Sequence, residues 1–323
     1  MSGELLAVDT PWLLYRSHFG LPSSIRGTGG ARVGALLGTV NTILALVQWG
    51  SPRAVVCCMG AEEADYRVAL YPPYHAHRDP MPDELRAQWE QAPTLLAALG
   101  WSVSADDALE ADDLMWSYSR VEAKAGGRTL ICAGDRDLYQ AVDEHTSVLE
   151  LRRDGPPGMI DAAGVRQRSG VDPAQIPDLI ALRGDPSDGL PGAKGIGAKT
   201  AAALLADHGT LEGVLAAADE LRPRIGATLR QQAEELRAFH TIATLCDIDV
   251  GRPPDAATDH ARGAQAAGAL GMKQLASRLE ALAAEAGLAL GQELGRQRLG
   301  PVGVDPGGVL GRELLARRTH DQP

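Results

Sequence analysis

Three observations predict an α/β fold, a parallel sheet with crossover helices followed by a region of helices alone. Short apolar runs alternate with segments of helical period along the first half of the chain. Beyond Ile160-Asp161 the strand-like runs stop and only helical patterns remain. Carboxylates recur where the apolar runs end, which is the edge of a parallel sheet at which ligands bind.

Each element has its own signal. Glu4–Asp9 is a short buried strand closed by a carboxylate. The spacing of Leu36, Leu37, Val40, Ile43, Leu44 and Val47 marks a helix over Ala35–Trp49, stopped at Gly50. Ala54–Met59 is a second buried strand. Leu85–Leu99 reads as a helix interrupted near Pro93 and closed by Gly100, with a brief strand at Trp101–Ser104. Ala111–Ala125 is a helix, Arg128–Ala133 a strand and Ser147–Leu151 another. Strands separated by helices pair in parallel through right-handed crossovers. In the second half Pro173–Arg183, Ala198–His208, Thr210–Ala218 and Thr228–His240 are helical, with Gly209 as a stop and Thr210 as an N-cap. Met272–Leu290 is an Ala/Leu-rich helix, and residues 291–323, richer in Gly, Arg and Pro, are expected to be disordered.

The chain has 323 residues, enough for one large or two modest domains. With 31 basic and 42 acidic residues its net charge is −11, which at first argues against a nucleic-acid partner. Acids taken up by divalent cations leave a less negative field, and an acidic protein can carry a locally basic face. Cys57, Cys58, Cys132 and Cys246 lack metal-ligand spacing and read as reduced, buried thiols. The N-terminus has no basic stretch leading into an apolar one, and no apolar run reaches the ~18 residues of a membrane span. A cytoplasmic protein is expected.

The acids carry the chemistry. Asp9, Asp135 and Asp137 fall at predicted strand ends, and Glu110, Asp112 and Asp113 open a helix. Asp185 and Asp188 precede a Gly/Lys-rich turn. Like charges crowded at one sheet edge are costly unless cations neutralise them. An oxygen-only set fits Mg²⁺ or Mn²⁺ and not zinc. Two such ions ~4 Å apart can activate a water and stabilise a leaving 3′-oxygen. The segment Leu190-Pro-Gly-Ala-Lys194-Gly195-Ile-Gly197-Ala-Lys199-Thr200 departs from a Walker A loop in spacing and does not follow a strand. It reads as a helix-hairpin-helix, whose glycines and helix N–H groups hold a DNA phosphate without reading bases.

Together these motifs resemble the 5′-nuclease family, meaning the 5′→3′ exonuclease domain of bacterial DNA polymerase I and its stand-alone flap-endonuclease relatives. The similarity covers roughly residues 4–255. It rests on Val8-Asp9, Tyr15-Arg16, Tyr74-His-Ala-His-Arg78, Met81-Pro-Asp-Glu-Leu85, the Glu110–Asp113 run, Gly134-Asp-Arg-Asp-Leu-Tyr-Gln140 and Gly184–Thr200, in that order. The resemblance implies a PIN-like catalytic domain over 1–165, with a helical arch at about 66–92. It further implies a helix–three-turn–helix region over 166–260, a C-terminal helix over 261–290 packing on the core, and then the tail. By the same resemblance Asp9, Glu110, Asp112 and Asp135 serve a first divalent ion. Asp137, Asp185 and Asp188 serve a second, with Asp113 in the shell they share. Arg16 and Arg78 contact the scissile phosphate or nearby backbone. The carbonyls around Lys194–Gly197 resemble a monovalent-cation site, often K⁺, and Lys194, Gly195, Gly197, Lys199 and Thr200 face duplex DNA.

Two departures from the family pattern bear on activity. Where the family carries a further metal-binding Asp after the second strand, this chain has Gly60, with Glu62, Glu63 and Asp65 nearby. Where the arch normally carries Lys, it has His75, which offers a charge only when protonated or else stands exposed in the arch with no role. A milder change puts Gly189 where Asn is frequent, and turn chemistry tolerates both.

The expected activity is metal-dependent cleavage of 5′ flaps or 5′ ends of DNA, at nicked or gapped duplexes and on RNA in hybrids. The chain would act as a monomer beside a polymerase and a ligase, as a separate polypeptide, since it ends without room for a polymerase domain. A structure-specific DNA-binding protein with little catalysis is the rival that Gly60 and His75 favour. A PIN-like ribonuclease is disfavoured by the hairpin.

Overall fold

The computed structural model describes residues 3–298. Strands β1 (Leu5–Asp9), β2 (Ala54–Met59), β3 (Ser102–Ala105), β4 (Thr129–Cys132) and β5 (Thr146–Glu150) are parallel, in the order β3-β2-β1-β4-β5. β1 and β2 are buried along their whole length, which is why both read as unbroken apolar runs. The sheet is not wholly parallel as expected, because β6 (Gly158–Ile160) pairs antiparallel with β5. The connection before it, through Gly155-Pro-Pro157, is too short for a crossover helix, so the chain must turn straight back.

Helix α1 (Thr10–Gly20) leaves β1 directly and had no sequence expectation. Asp9 caps it by accepting a bond from the Trp12 N–H at 2.9 Å. α2 (Gly34–Gly50) packs on α1. α3 (Asp65–Leu70) and α4 (Asp83–Ala98) flank an irregular segment in the place expected for the arch. α4 runs through Pro93 without the expected interruption, since Leu85, Gln88, Ala92, Leu95 and Leu96 bury one continuous face across it. α5 (Ala111–Lys124) follows β3.

The second half holds α6 (Ala162–Ser169), α7 (Ile176–Arg183), α8 (Ala198–His208), α9 (Leu211–Ala216), α10 (Pro223–Ala243) and α11 (His260–Ala269). A short 3₁₀ turn, Pro173–Gln175, opens the segment expected to be helical from Pro173, and α10 begins earlier than expected. The single C-terminal helix expected over 261–290 is two, α11 and α12 (Lys273–Arg298), broken where Gly271 takes φ +80°. α12 extends through residues 291–298, which were expected to be disordered, because Gln, Glu, Leu and Arg there sustain a helix. The rest of that expected tail lies outside the described residues. Residues Met1–Glu280 form one compact unit, and among the described residues no helix is long and apolar enough to cross a membrane.

One apolar core runs from β1 and β4 through α5 to α7 and α10, with Phe239 fully buried in it. At the sheet end away from the acids, a buried ion network ties the chain together. Glu122, 0% exposed, accepts from Arg53 Nε at 2.9 Å and from Arg252 at 3.0 Å. Arg53 also reaches the Pro253 carbonyl at 2.7 Å and Asp255 at 2.8 Å. Burial alone would raise the Glu122 carboxyl, but the two guanidinium groups hold it below its ordinary range.

Gly60 closes β2 under a steric constraint. A Cβ there would lie 2.4 Å from the Ala111 nitrogen and 2.6 Å from the Leu109 oxygen, both backbone. The first turn of α5 therefore sits directly on the end of β2.

Three substitutions bear on stability, read by urea unfolding. Glu122→Gln leaves the buried Arg53 guanidinium with only the exposed Asp255 as counter-ion and should cost about 3–5 kcal/mol. Asp255→Asn, whose side chain is 70% exposed, should cost under about 1 kcal/mol. Gly60→Asp should cost roughly 1–3 kcal/mol by forcing α5 off the strand. It should give no gain in cleavage at low Mg²⁺; such a gain would show that α5 yields freely.

Candidate active site

The carboxyl ends of β1 and β4, the start of α5 and the turn after α7 open into one cleft of about 1240 Å³. Asp9, Glu110, Asp112, Asp135, Asp137, Asp185 and Asp188 all line it, with His75 and Arg78 from the segment between α3 and α4. Asp113 does not line it and is 0% exposed beneath. Arg16 lies outside the lining on the exposed side of α1, with its guanidinium 5.7 Å from the Trp12 ring centre. The sheet explains the convergence. β1 lies between β2 and β4, so Asp9 ends the central strand and Gly134-Asp135 follows its neighbour.

The eight acids fall into two groups. Four have cationic partners. Arg67, 3% exposed, bonds Glu110 at 2.7 Å and Asp113 at 2.9 Å. Arg183 lies 3.4 Å from Asp185, and Arg78 lies 3.2 Å from Asp188. Glu110 also accepts from the Ala64 N–H at 2.9 Å and from the Tyr74 hydroxyl at 3.2 and 3.1 Å. Burial, and then the Glu110 charge, push the Tyr74 hydroxyl pKa up, so it remains a donor.

Asp9, Asp112, Asp135 and Asp137 have no such cation. Burial, partly offset by the Trp12 N–H bond, and the Asp135 charge push the Asp9 carboxyl up to about 7. Asp112 is raised by burial and then by Asp9 and Asp135, and Asp137 by burial and then by Asp135 and Asp188. Asp135 is raised by burial and then by Asp188. One Asp137 oxygen is buried without any hydrogen-bond partner. Among the described residues no three metal-binding side chains sit in coordinating positions. The donor set itself fits a hard divalent cation, since a buried, orphaned carboxylate oxygen among like charges is what such an ion satisfies.

Of the acids near Gly60, Glu62 and Glu63 line the cleft and Asp65 opens α3. Glu62 is engaged by the Tyr15 hydroxyl, from which it accepts at 3.4 Å, and lies 3.8 Å from Arg86. His75 is not exposed, as one reading of the arch had it; it is 5% exposed, with Nε2 3.1 Å from Asp188. Its φ is +55°, a left-handed conformation that costs a non-glycine residue about 1–3 kcal/mol. The sequence reading missed Arg67 and Arg183 as partners of the acids. The available signal for Arg67 was a lone charge between Tyr66 and the apolar Val68-Ala-Leu70.

The hairpin lies apart from the cleft lining. Gly195 has φ +83°, and a Cβ at Gly195 or Gly197 would meet open space. Lys194, Gly195, Gly197 and Lys199 are exposed and Thr200 is partly so, at the N-terminus of α8. The Lys194 N–H donates to Gln232 of α10 at 2.8 Å, fixing the turn.

Comparison with known proteins agrees with this architecture. Residues 4–170 match the family model described as 5′-3′ exonuclease, N-terminal resolvase-like domain, and residues 171–262 match its C-terminal SAM fold. A 5′-3′ exonuclease of Streptomyces coelicolor is 39% identical over 253 residues, covering 74% of this chain and 83% of the relative. A 5′-3′ exonuclease of Mycobacterium tuberculosis is 31% identical over 315 residues, covering 87% and 98%. DNA polymerase I of the same species is 32% identical over 260 residues, but the chain spans only 28% of its length. Among solved structures, the T5 5′-exonuclease with bound zinc has TM-score 0.61 at 17% identity, covering 87% of this chain and 98% of that one. The catalytic core of Rad2 with a DNA substrate has TM-score 0.57 at 12% identity, covering 88% and 92%. These two share the fold. Both parts of the family model match in order along the chain, and this protein belongs to the 5′-3′ exonuclease family.

Proposed function

We propose that this protein is a metal-dependent 5′-nuclease that hydrolyses DNA at 5′ ends and 5′ flaps. The observation that carries this reading is the set of four carboxylates, Asp9 and Asp137 buried and Asp112 and Asp135 half-buried, left without a protein cation at the carboxyl edge of the sheet. These residues would hold Mg²⁺ or Mn²⁺, with Asp185 and Asp188 beside them. Glu110 and Asp113 act as a supporting pair, already bound to Arg67. When bound, divalent ions supply an activated water and stabilise the leaving oxygen.

The remaining roles belong to side chains of this chain. Arg78, 47% exposed at the cleft mouth, is free to turn from Asp188 to a phosphate. Arg16, the exposed Lys194, Gly195, Gly197 and Lys199, and the half-buried Thr200 hold duplex backbone outside the cleft, with K⁺ at the Lys194–Gly197 turn. We read residues 1–165 as the catalytic part and 166–260 as the part that grips DNA. The proposed setting is a cytoplasmic monomer working at the nucleoid on nicked or gapped duplexes, and on RNA in hybrids, in primer removal or repair. A binding protein with weak catalysis is the second reading. The full engagement of Glu110 by Arg67, Tyr74 and Ala64 favours it.

The test is cleavage of a 5′-labelled flap duplex with Mg²⁺ or Mn²⁺. Asp135→Asn with Asp137→Asn should abolish cleavage and leave flap binding within a few-fold. The same change should raise the melting temperature of the metal-free protein, because it relieves repulsion. Equal loss of binding and cleavage would give these acids a structural role, and tight binding without cleavage by the unaltered protein would favour the second reading. Lys194→Ala and Lys199→Ala should each weaken duplex binding at every sequence and lower the salt slope by about 1. An unchanged slope would remove the hairpin from the interface.

A further inference from the structure

At the position where the family resemblance leads one to expect a lysine, the side chain is buried instead of reaching for a phosphate. His75 is pinned at three points. Its backbone N–H donates to the Asp188 carbonyl at 3.2 Å. Its Nε2 lies 3.1 Å from the Asp188 carboxylate. Its ring stacks on Tyr74 with centroids 3.8 Å apart and planes 23° apart. The left-handed backbone at His75 is what lets both its N–H and its ring face the Asp188 turn. That turn is shaped to receive it. Asp185 and Leu190 bridge its base, and Gly189, at φ +75°, lies so close to the Pro73 carbonyl that a Cβ would stand 3.0 Å away. Tyr74 meanwhile donates to Glu110 on the other side of the cleft.

We propose that His75 is a positioning residue that fixes the Asp188 carboxylate through Nε2–H, and that of the two partners of Asp188 it is Arg78 that is left to contact the substrate phosphate. This rests on the nuclease reading above and deepens it. Asp188 has two partners in this structure, His75 and Arg78. They differ in freedom, since the His75 side chain is 3% exposed and that of Arg78 47%. When Arg78 turns to a phosphate, His75 keeps Asp188 in place. A hydrogen-bond donor suffices for that work and a positive charge does not, because a lysine ammonium lacks the fixed direction of a ring N–H.

The chemistry separates the two roles through conservative variants. Glutamine at 75 keeps a neutral N–H donor, lysine offers the cation without the fixed donor, and leucine offers neither. Divalent-metal binding is measured by calorimetry with Mn²⁺ on the full chain, and kcat and KM on the flap substrate. His75→Gln should bind Mn²⁺ and cleave within about three-fold of the unaltered protein. His75→Leu should bind Mn²⁺ about 10–100-fold more weakly and lose kcat with little change in KM. His75→Lys should resemble the leucine variant. His77→Gln, at the exposed neighbour, should change neither measurement.

If His75→Lys matches or exceeds the unaltered protein while His75→Gln fails, charge is what the site needs and the inference is overturned. Mn²⁺ binding that is the same in all variants overturns it too, and leaves the nuclease reading standing. Failure of the unaltered protein to bind Mn²⁺ at all would remove both. Circular dichroism melts of each variant keep loss of folding apart from loss of position, and His75→Gln serves as the well-folded reference.

Discussion

Repulsion among carboxylates at the end of a buried parallel sheet is the constraint on which the rest of this structure depends. Adjacent parallel strands lie about 4.8 Å apart, so acids ending two neighbours cannot separate far. Four of the eight acids are neutralised from within, by Arg67, Arg183 and Arg78. Burying Arg67 for that purpose sets much else. It fixes α3 against the start of α5. Its partner Asp113 also accepts the Cys246 N–H at 2.8 Å, which ties the segment after α10 to the same point. The four acids without a cation are the cost that remains, and they mark where external charge must come from.

The Glu110–Asp113 run shows how one short motif serves local structure and site together. Glu110 caps α5, and the Asp113 side chain returns to the Glu110 N–H at 3.2 Å. Acids at a helix N-terminus are favoured by the helix dipole, which offsets part of their crowding. Each therefore has a structural reason to be present before any ion binds. At the other end of the sheet the logic is reversed, since Glu122 is a single buried acid held by two arginines. There Arg53 and Arg252 balance Glu122 and Asp255, and accordingly the network stabilises the fold.

Much of this was legible in the sequence, and what was not has a common cause. The strands β1, β2 and β4 and the acids at their ends are local signals, written in contiguous residues. Helix α1 was missed because its aromatic residues Trp12, Tyr15 and Phe19 line the cleft and its buried face includes the polar Ser17 and His18, which breaks the apolar period. β6 has three residues, too few for any period, and it exists only because β5 offers a free edge. Arg67 meets its partners across 43 and 46 residues, and His75 meets Asp188 across 113. No spacing rule reaches such pairs, so the site's acids could be named while the groups that hold them could not.

The two departures at Gly60 and His75 look independent in sequence, and the contacts join them. Gly60 allows α5 to rest on β2, since any Cβ would strike the Glu110–Ala111 backbone. That seat brings the Glu110 carboxylate to the Tyr74 hydroxyl. Tyr74 stacks on His75, and His75 holds Asp188. The series Gly60, Glu110, Tyr74, His75 and Asp188 thus runs from the acid that opens α5 to the turn after α7. A carboxylate at position 60 would displace the first member, and a lysine at position 75 would forgo both the stack and the directed donor. Each departure is compatible with the other through Glu110 and Tyr74, which is why restoring either residue alone should disturb this site more than repair it.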